Sequence, residues 1–180
     1  MRHERARPHQ STTLLLLLGI SLAACGSGDD EAPGLDGGEI QVSAEHEQAM
    51  CDDLNSNPST APVPKTAGSA IGEGGAINAT PGKKVIEFVD FEGQKGGYIR
   101  LAIDPANQSA VFLMLDADVG FAAVHEDGSE VDFLESGDSS ELCPEAEGRY
   151  LWIVKDSENH LRFGPTSHTS VALVIETLGG

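Results

Sequence analysis

The chain has 180 residues, with 29 Asp and Glu against 11 Lys and Arg and a formal net charge of −18. That length leaves room, after a leader, for one domain of roughly 100 residues with a real core. So acidic a chain repels nucleic acid and anionic lipid head groups, and with no RNA-binding signature or basic patch in the sequence, nucleic acid is excluded as a partner.

The N-terminus carries Arg2, Arg5 and Arg7, followed by an apolar run from Leu14 to Ile20 and then the small residues Ala23 and Ala24. A charged head, a short apolar middle and small residues before a cleavage point make a secretory signal. The run is too short, and too diluted by Thr12, Thr13 and Ser21, for a spanning helix of about 20 apolar residues. Two competing readings are a plain signal peptide cut at Ala24 and a retained anchor helix. Leu22-Ala23-Ala24-Cys25 resembles the lipobox of bacterial lipoproteins. The resemblance implies cleavage before Cys25, lipid on its thiol and acylation of the new amino group. Residues 1–24 are then signal peptide, and the Gly-, Asp- and Glu-rich segment from 26 to 42 is a polar tether of the kind that lifts a domain off a lipid surface.

With Cys25 assigned to lipid, Cys51 and Cys143 remain as a pair in an oxidising compartment and are expected to be joined. Such a bridge closes a loop of about 90 residues, worth about 4 kcal/mol on the chain-entropy account. No Cys-x-x-Cys or neighbouring His pair supports a metal or redox role for them. Residues 43–55 read as a short helix: Ser43 is an N-cap, Glu45 and Glu47 lie in the first turn, and Met50, Cys51 and Leu54 give a narrow apolar face. That face is expected to dock on the following domain beside Cys143. Residues 58–82, rich in Pro, Ala, Gly, Ser and Thr, read as an extended connector with one short strand at Ala70-Ile71 or Ala76-Ile77. The domain plan is thus signal 1–24, tether with helix and connector 25–82, and a β domain 83–180.

From residue 83 onward, short β-rich runs recur at regular spacing. They are 85–91, 98–103, 111–115, 119–125, 130–134, 149–155, 160–163 and 170–176. Val111 to Leu115 is apolar throughout, which predicts a central strand. Asp127-Gly128 signals a tight hairpin turn that returns through 130–134. An acidic loop, 135–148, carries Cys143. The pattern predicts an all-β domain, an antiparallel sandwich or jelly roll of about eight strands.

Gly97 to Leu101, the hairpin from Phe121 to Phe133 around Asp127-Gly128, and Asn159 to Pro165 resemble the bacterial pre-peptidase C-terminal domain over about residues 83–177. The resemblance implies a small extracellular β-sandwich of the kind appended to secreted peptidases. The late strand departs from the family pattern, with Glu158-Asn159-His160 where the family has Gly-Thr-Tyr, and no peptidase domain precedes it.

Catalytic signals are sparse. No Gly-x-Ser-x-Gly is present, and His46, His125, His160 and His168 show no zinc-ligand spacing. Carboxylate pairs occur everywhere in so acidic a chain and single out no glycosidase dyad. Trp152, between Leu151 and Ile153, reads as a core residue. Calcium is the one cofactor reading retained, with Asp116, Asp118 and Asp127 as candidate ligands, because calcium takes six to eight oxygens from carboxylates and carbonyls. The competing reading is ordinary turn chemistry.

The sequence therefore leads to the expectation of a membrane-anchored extracytoplasmic lipoprotein, held on the outer membrane in a Gram-negative cell. It is expected to be a non-enzymatic binding or structural module with the lipid bilayer and an extracellular glycan or protein as partners. The alternative is a carbohydrate- or peptide-binding accessory domain for a separate secreted enzyme. A small carboxylate-based hydrolase comes third.

Overall fold

The computed structural model describes residues 40–57, 61–103, 109–154 and 158–178. Ser43 starts the first element as its cap, its side chain accepting a hydrogen bond from the His46 N–H at 3.2 Å. Helix α1 (Ala44–Asn55) follows, and Ser56 caps its end through the Asp53 carbonyl. Glu47, Met50, Cys51 and Leu54 are its buried residues, the i, i+3, i+4, i+7 spacing of one helical face.

Among the described residues, eleven strands form two sheets. The first contains β1 (Lys65–Thr66), β3 (Lys84–Glu87), β11 (Ser170–Leu178), β6 (Ser109–Leu115), β9 (Gly148–Val154) and β8 (Glu135–Gly137), in that order. The second contains β2 (Ala76–Asn78), β5 (Gln94–Ala102), β10 (Glu158–Thr166) and β7 (Phe121–His125), with β4 (Val89–Phe91) also paired to β5. Ile86, Ile99, Leu101, Val111, Leu113, Trp152, Leu161, Phe163 and Leu173 belong to one buried cluster between the sheets. A second cluster, made from Ala110, Phe112, Met114, Leu151 and Val174 with Met50, Cys51 and Leu54, lies between the first sheet and α1. The result is an all-β sandwich with a helix as a third layer.

The two clusters explain why β6 is apolar at every position. Val111, Leu113 and Leu115 point to the sandwich core, while Phe112 and Met114 point to the helix. A strand covered on both faces has no solvent side to carry polar residues. Its place between β11 and β9 is the central one expected for it.

Four expectations are corrected. The sheets are mixed and not purely antiparallel, because β1 pairs β3 and β2 pairs β5 in parallel. The run 85–91 is two strands, because the chain steps from the first sheet to the second at Phe88, whose ring packs against Phe163 with centroids 5.7 Å apart. Residues 130–134 do not return as a strand. A single bridge, Val124↔Glu130, and the Val131 N–H to Ala123 carbonyl bond join it to β7, while the Leu134 N–H already donates to the Leu151 carbonyl of β9 at 2.7 Å, and the chain goes on in the first sheet as β8, within the segment expected to be loop. Finally, the stretch expected as a connector with one short strand supplies two: β1 and the run from Gly68 to β2 lie along β3 and the outer edge of β5. Of the two alternative short strands in the connector, the one at Ala76-Ile77 forms, as β2.

Glycine is required where this stretch docks. Gly97 has φ +131, and a Cβ on it would lie 2.5 Å from the Gly68 carbonyl oxygen, while a Cβ on Gly74 would collide with the Tyr98 carbonyl. The backbones of 68–75 and β5 approach too closely for any side chain between them.

Candidate functional site

Helix α1 places Glu47 and Cys51 one turn apart on its buried face, and both are tied to distant parts of the chain. Cys51 is bonded to Cys143, 92 residues away, with Cα atoms 5.6 Å apart. Glu47 meets Arg149 of β9: Nε lies 3.0 Å from Oε1, and Nη2 donates to Oε2 at 3.1 Å. Arg149 also reaches Glu135 of β8 at 3.5 Å, and its guanidinium lies 5.6 Å from the centroid of the Phe112 ring. The Ser140 hydroxyl donates to Glu47 Oε1 and accepts from the N–H groups of Leu142 and Cys143. Helix, sheet and the acidic 138–147 loop are thus joined by a covalent bond and a largely buried ion pair side by side. Asn55 adds a hydrogen bond at 3.5 Å to Glu145 at the edge of the disulfide.

Cys25, the candidate lipidation site, lies outside the described residues. The candidate calcium ligands are not gathered. Asp116 Oδ1 accepts the Ala172 N–H at 2.8 Å, fastening the end of β6 to β11. Asp127 Oδ1 accepts from the Ser129 N–H at 2.9 Å and from its hydroxyl at 2.6 Å, which shapes the turn after β7 and holds the Asp127 carboxyl below the usual carboxylate range. Asp116 and Asp118 precede β7 and Asp127 follows it, and a five-residue strand spans about 13 Å. Calcium oxygens sit 2.3–2.6 Å from the ion, so one ion does not bridge the two ends. Among the described residues, the one group of His, Cys, Asp or Glu with ligand atoms within 4.8 Å of one another is Cys51, Cys143 and Glu145, and its sulfurs are already bonded to each other.

The histidines lie on separate elements. His46 on α1 is 3.5 Å from Glu176 of β11, His125 ends β7, His160 is buried on β10, and His168 is exposed between β10 and β11.

The sequence did not disclose how the aromatic residues converge. Phe121, Phe133 and Tyr150, each half-buried, meet around the fully buried Trp152, with Phe121 4.6 Å and Phe133 5.1 Å from Tyr150 between centroids. They close the side of the sandwich where the chain crosses from β7 to β8. Burial pushes the Tyr150 phenol above its ordinary value, and the nearby carboxylates of Asp118 and Asp138 push the same way. Alternation along β7 and β9 marks these residues as inward-facing, but their meeting depends on the crossing at 131–134, which has no strand pattern of its own.

No protein-family model and no curated protein matches this chain. Among the described residues, no helix is long and apolar enough to cross a membrane.

Proposed function

We propose that this chain is a lipid-anchored extracytoplasmic lipoprotein whose folded part is a non-enzymatic binding or structural module. The Cys51–Cys143 bond is the observation that carries the reading. It ties α1, the first element after the tether, to the sandwich, and such bonds belong to oxidising compartments. It also accounts for every cysteine after Cys25, leaving Cys25 alone in the Leu-Ala-Ala-Cys context that a lipid anchor uses.

The test is expression of the full chain in a bacterium fed radiolabelled palmitate, beside a C25S variant. The reading predicts label in the wild type, recovery in the detergent phase, and loss of both on C25S. Equal partition of the two proteins into the aqueous phase, without label, would contradict it.

A further inference from the structure

Where the chain crosses from β7 to β8, the side of the sandwich is aromatic at its centre and acidic at its rim. Strand β9 lies between β6 and β8 and sets the arrangement. Ser136 of β8 stands opposite Tyr150, so the next position on the same face, beside Gly148, falls to Asp138. The Tyr150 ring leans over Gly148, where a Cβ would lie 2.9 Å from Cε2 and 3.2 Å from the hydroxyl oxygen. That brings the hydroxyl level with Leu115, the last residue of β6, from which the chain runs on to Asp118. The two carboxylates that bear on the phenol thus reach it from opposite neighbours, one from β6 and one from β8. Both are exposed, and among the described residues neither takes part in an ion pair. Phe121 and Phe133, half-buried like Tyr150, complete the aromatic centre. The three rings touch one another, with centroids 4.6, 5.1 and 5.8 Å apart, and leave no box between them for a rounded ion.

We infer that this rim binds an arginine side chain carried by a partner protein. A guanidinium is planar and weakly hydrated, so it stacks on an aromatic ring while its N–H edge stays free for carboxylates. Here the Tyr150 ring supplies the stacking surface, and Asp118 and Asp138 accept the N–H groups. The field of a chain of net charge −18 draws such a cation in. A lysine ammonium, compact and strongly hydrated, gains less from rings that do not enclose it. A quaternary ammonium favours an aromatic cage, which the mutual contact of the three rings excludes. The inference rests on the reading of a non-catalytic binding module and names the chemistry of its ligand.

Trp152, the chain's single Trp, lies 6.0 Å from Phe121 and 5.9 Å from Phe133 between centroids, so its emission reports on the site. The test is calorimetric titration of the detergent-solubilised full chain with acetyl-Gly-Gly-Arg-Gly-Gly-amide and its lysine and citrulline counterparts, with Trp152 emission read on the same samples. The expected result is saturable binding of the arginine peptide, about tenfold weaker binding of the lysine peptide and none of the citrulline peptide. D118N/D138N is expected to weaken arginine binding by about tenfold or more, in line with the loss of charge-assisted bonds, without lowering the melting temperature. E92Q/E126Q removes the same charge from other exposed positions and is expected to change binding by no more than about twofold. Absence of binding by both readouts, equal binding of the lysine or citrulline peptide, or equal weakening by the two double variants would overturn the inference. Mass analysis of the peptide after incubation separates the two claims: binding with cleavage would sustain the site and refute the non-catalytic module.

Discussion

Arg149 and Glu47, 102 residues apart in sequence, meet through two nitrogens and two oxygens beside the Cys51–Cys143 bond. Their side chains are only 15% and 8% exposed, so each charge depends on the other for what it lost in leaving water. Removing one partner strands a buried charge, which costs about 3–5 kcal/mol, whereas replacing both with apolar residues of similar size is often near neutral. E47L and R149M are each expected to lower the unfolding free energy in urea by an amount of that order. The double variant E47L/R149M is expected to recover most of it, and an additive double-mutant cycle would show that the pair is not coupled.

The disulfide stabilises by restricting the unfolded chain. Replacing Cys51 and Cys143 together by Ala is expected to cost roughly 2–5 kcal/mol, read from denaturant melts, while the far-ultraviolet spectrum stays β-rich. Reduced and non-reduced gels of the wild type should differ in mobility, and those of the double variant should not.

Tyr150 gives an alkaline signature. Its folded value lies above the ordinary 10.0 because burial and the carboxylates of Asp118 and Asp138 disfavour the phenolate. Above pH 10.0 the unfolded chain releases this proton first and so binds fewer protons than the folded one, which makes stability fall as pH rises until the folded phenol also ionises. Below that window the group contributes no pH dependence. Y150F is expected to match the wild-type pH slope at pH 7–9 and to lose less stability above pH 10. Parallel alkaline curves for the two proteins would contradict the assignment.

The backbone contact between 68–75 and β5 leaves no room for a Cβ. G97A meets both the Gly68 carbonyl and a φ of +131, and is expected to destabilise by about 2–3 kcal/mol, with early protection loss in hydrogen exchange at 65–78. G82A, where nothing lies within 4 Å of the added Cβ but φ is +97, isolates the conformational cost alone and should be milder.

The sequence carried the parts of this fold that arise from local pattern. Ser43, with Met50, Cys51 and Leu54 behind it, specifies α1, and the unbroken apolar run Val111 to Leu115 specifies a strand buried on both faces. Where the chain changes sheets, the pattern misleads. Val131 and Phe133 alternate like a strand, yet they pack into the core side while their backbone crosses from β7 to β8. Phe88 sits inside a continuous β-like run and still marks a crossing. Strands β1 and β2 are two and three residues long and pair in parallel, a relation with no short-range signature. Of the functional groupings, the cysteine pairing followed from counting. The Glu47–Arg149 pair did not, because it depends on register between segments far apart in the chain.

The most direct measurement of the central claim is the intact mass of the protein isolated from bacterial membranes, with N-terminal peptide mapping. The account predicts a mature chain that begins at Cys25, carries diacylglyceryl and acyl groups there, and lacks two hydrogens for the Cys51–Cys143 bond. A chain that retains residues 1–24, or one cut at Ala24 with an unmodified Cys25 thiol, would contradict it.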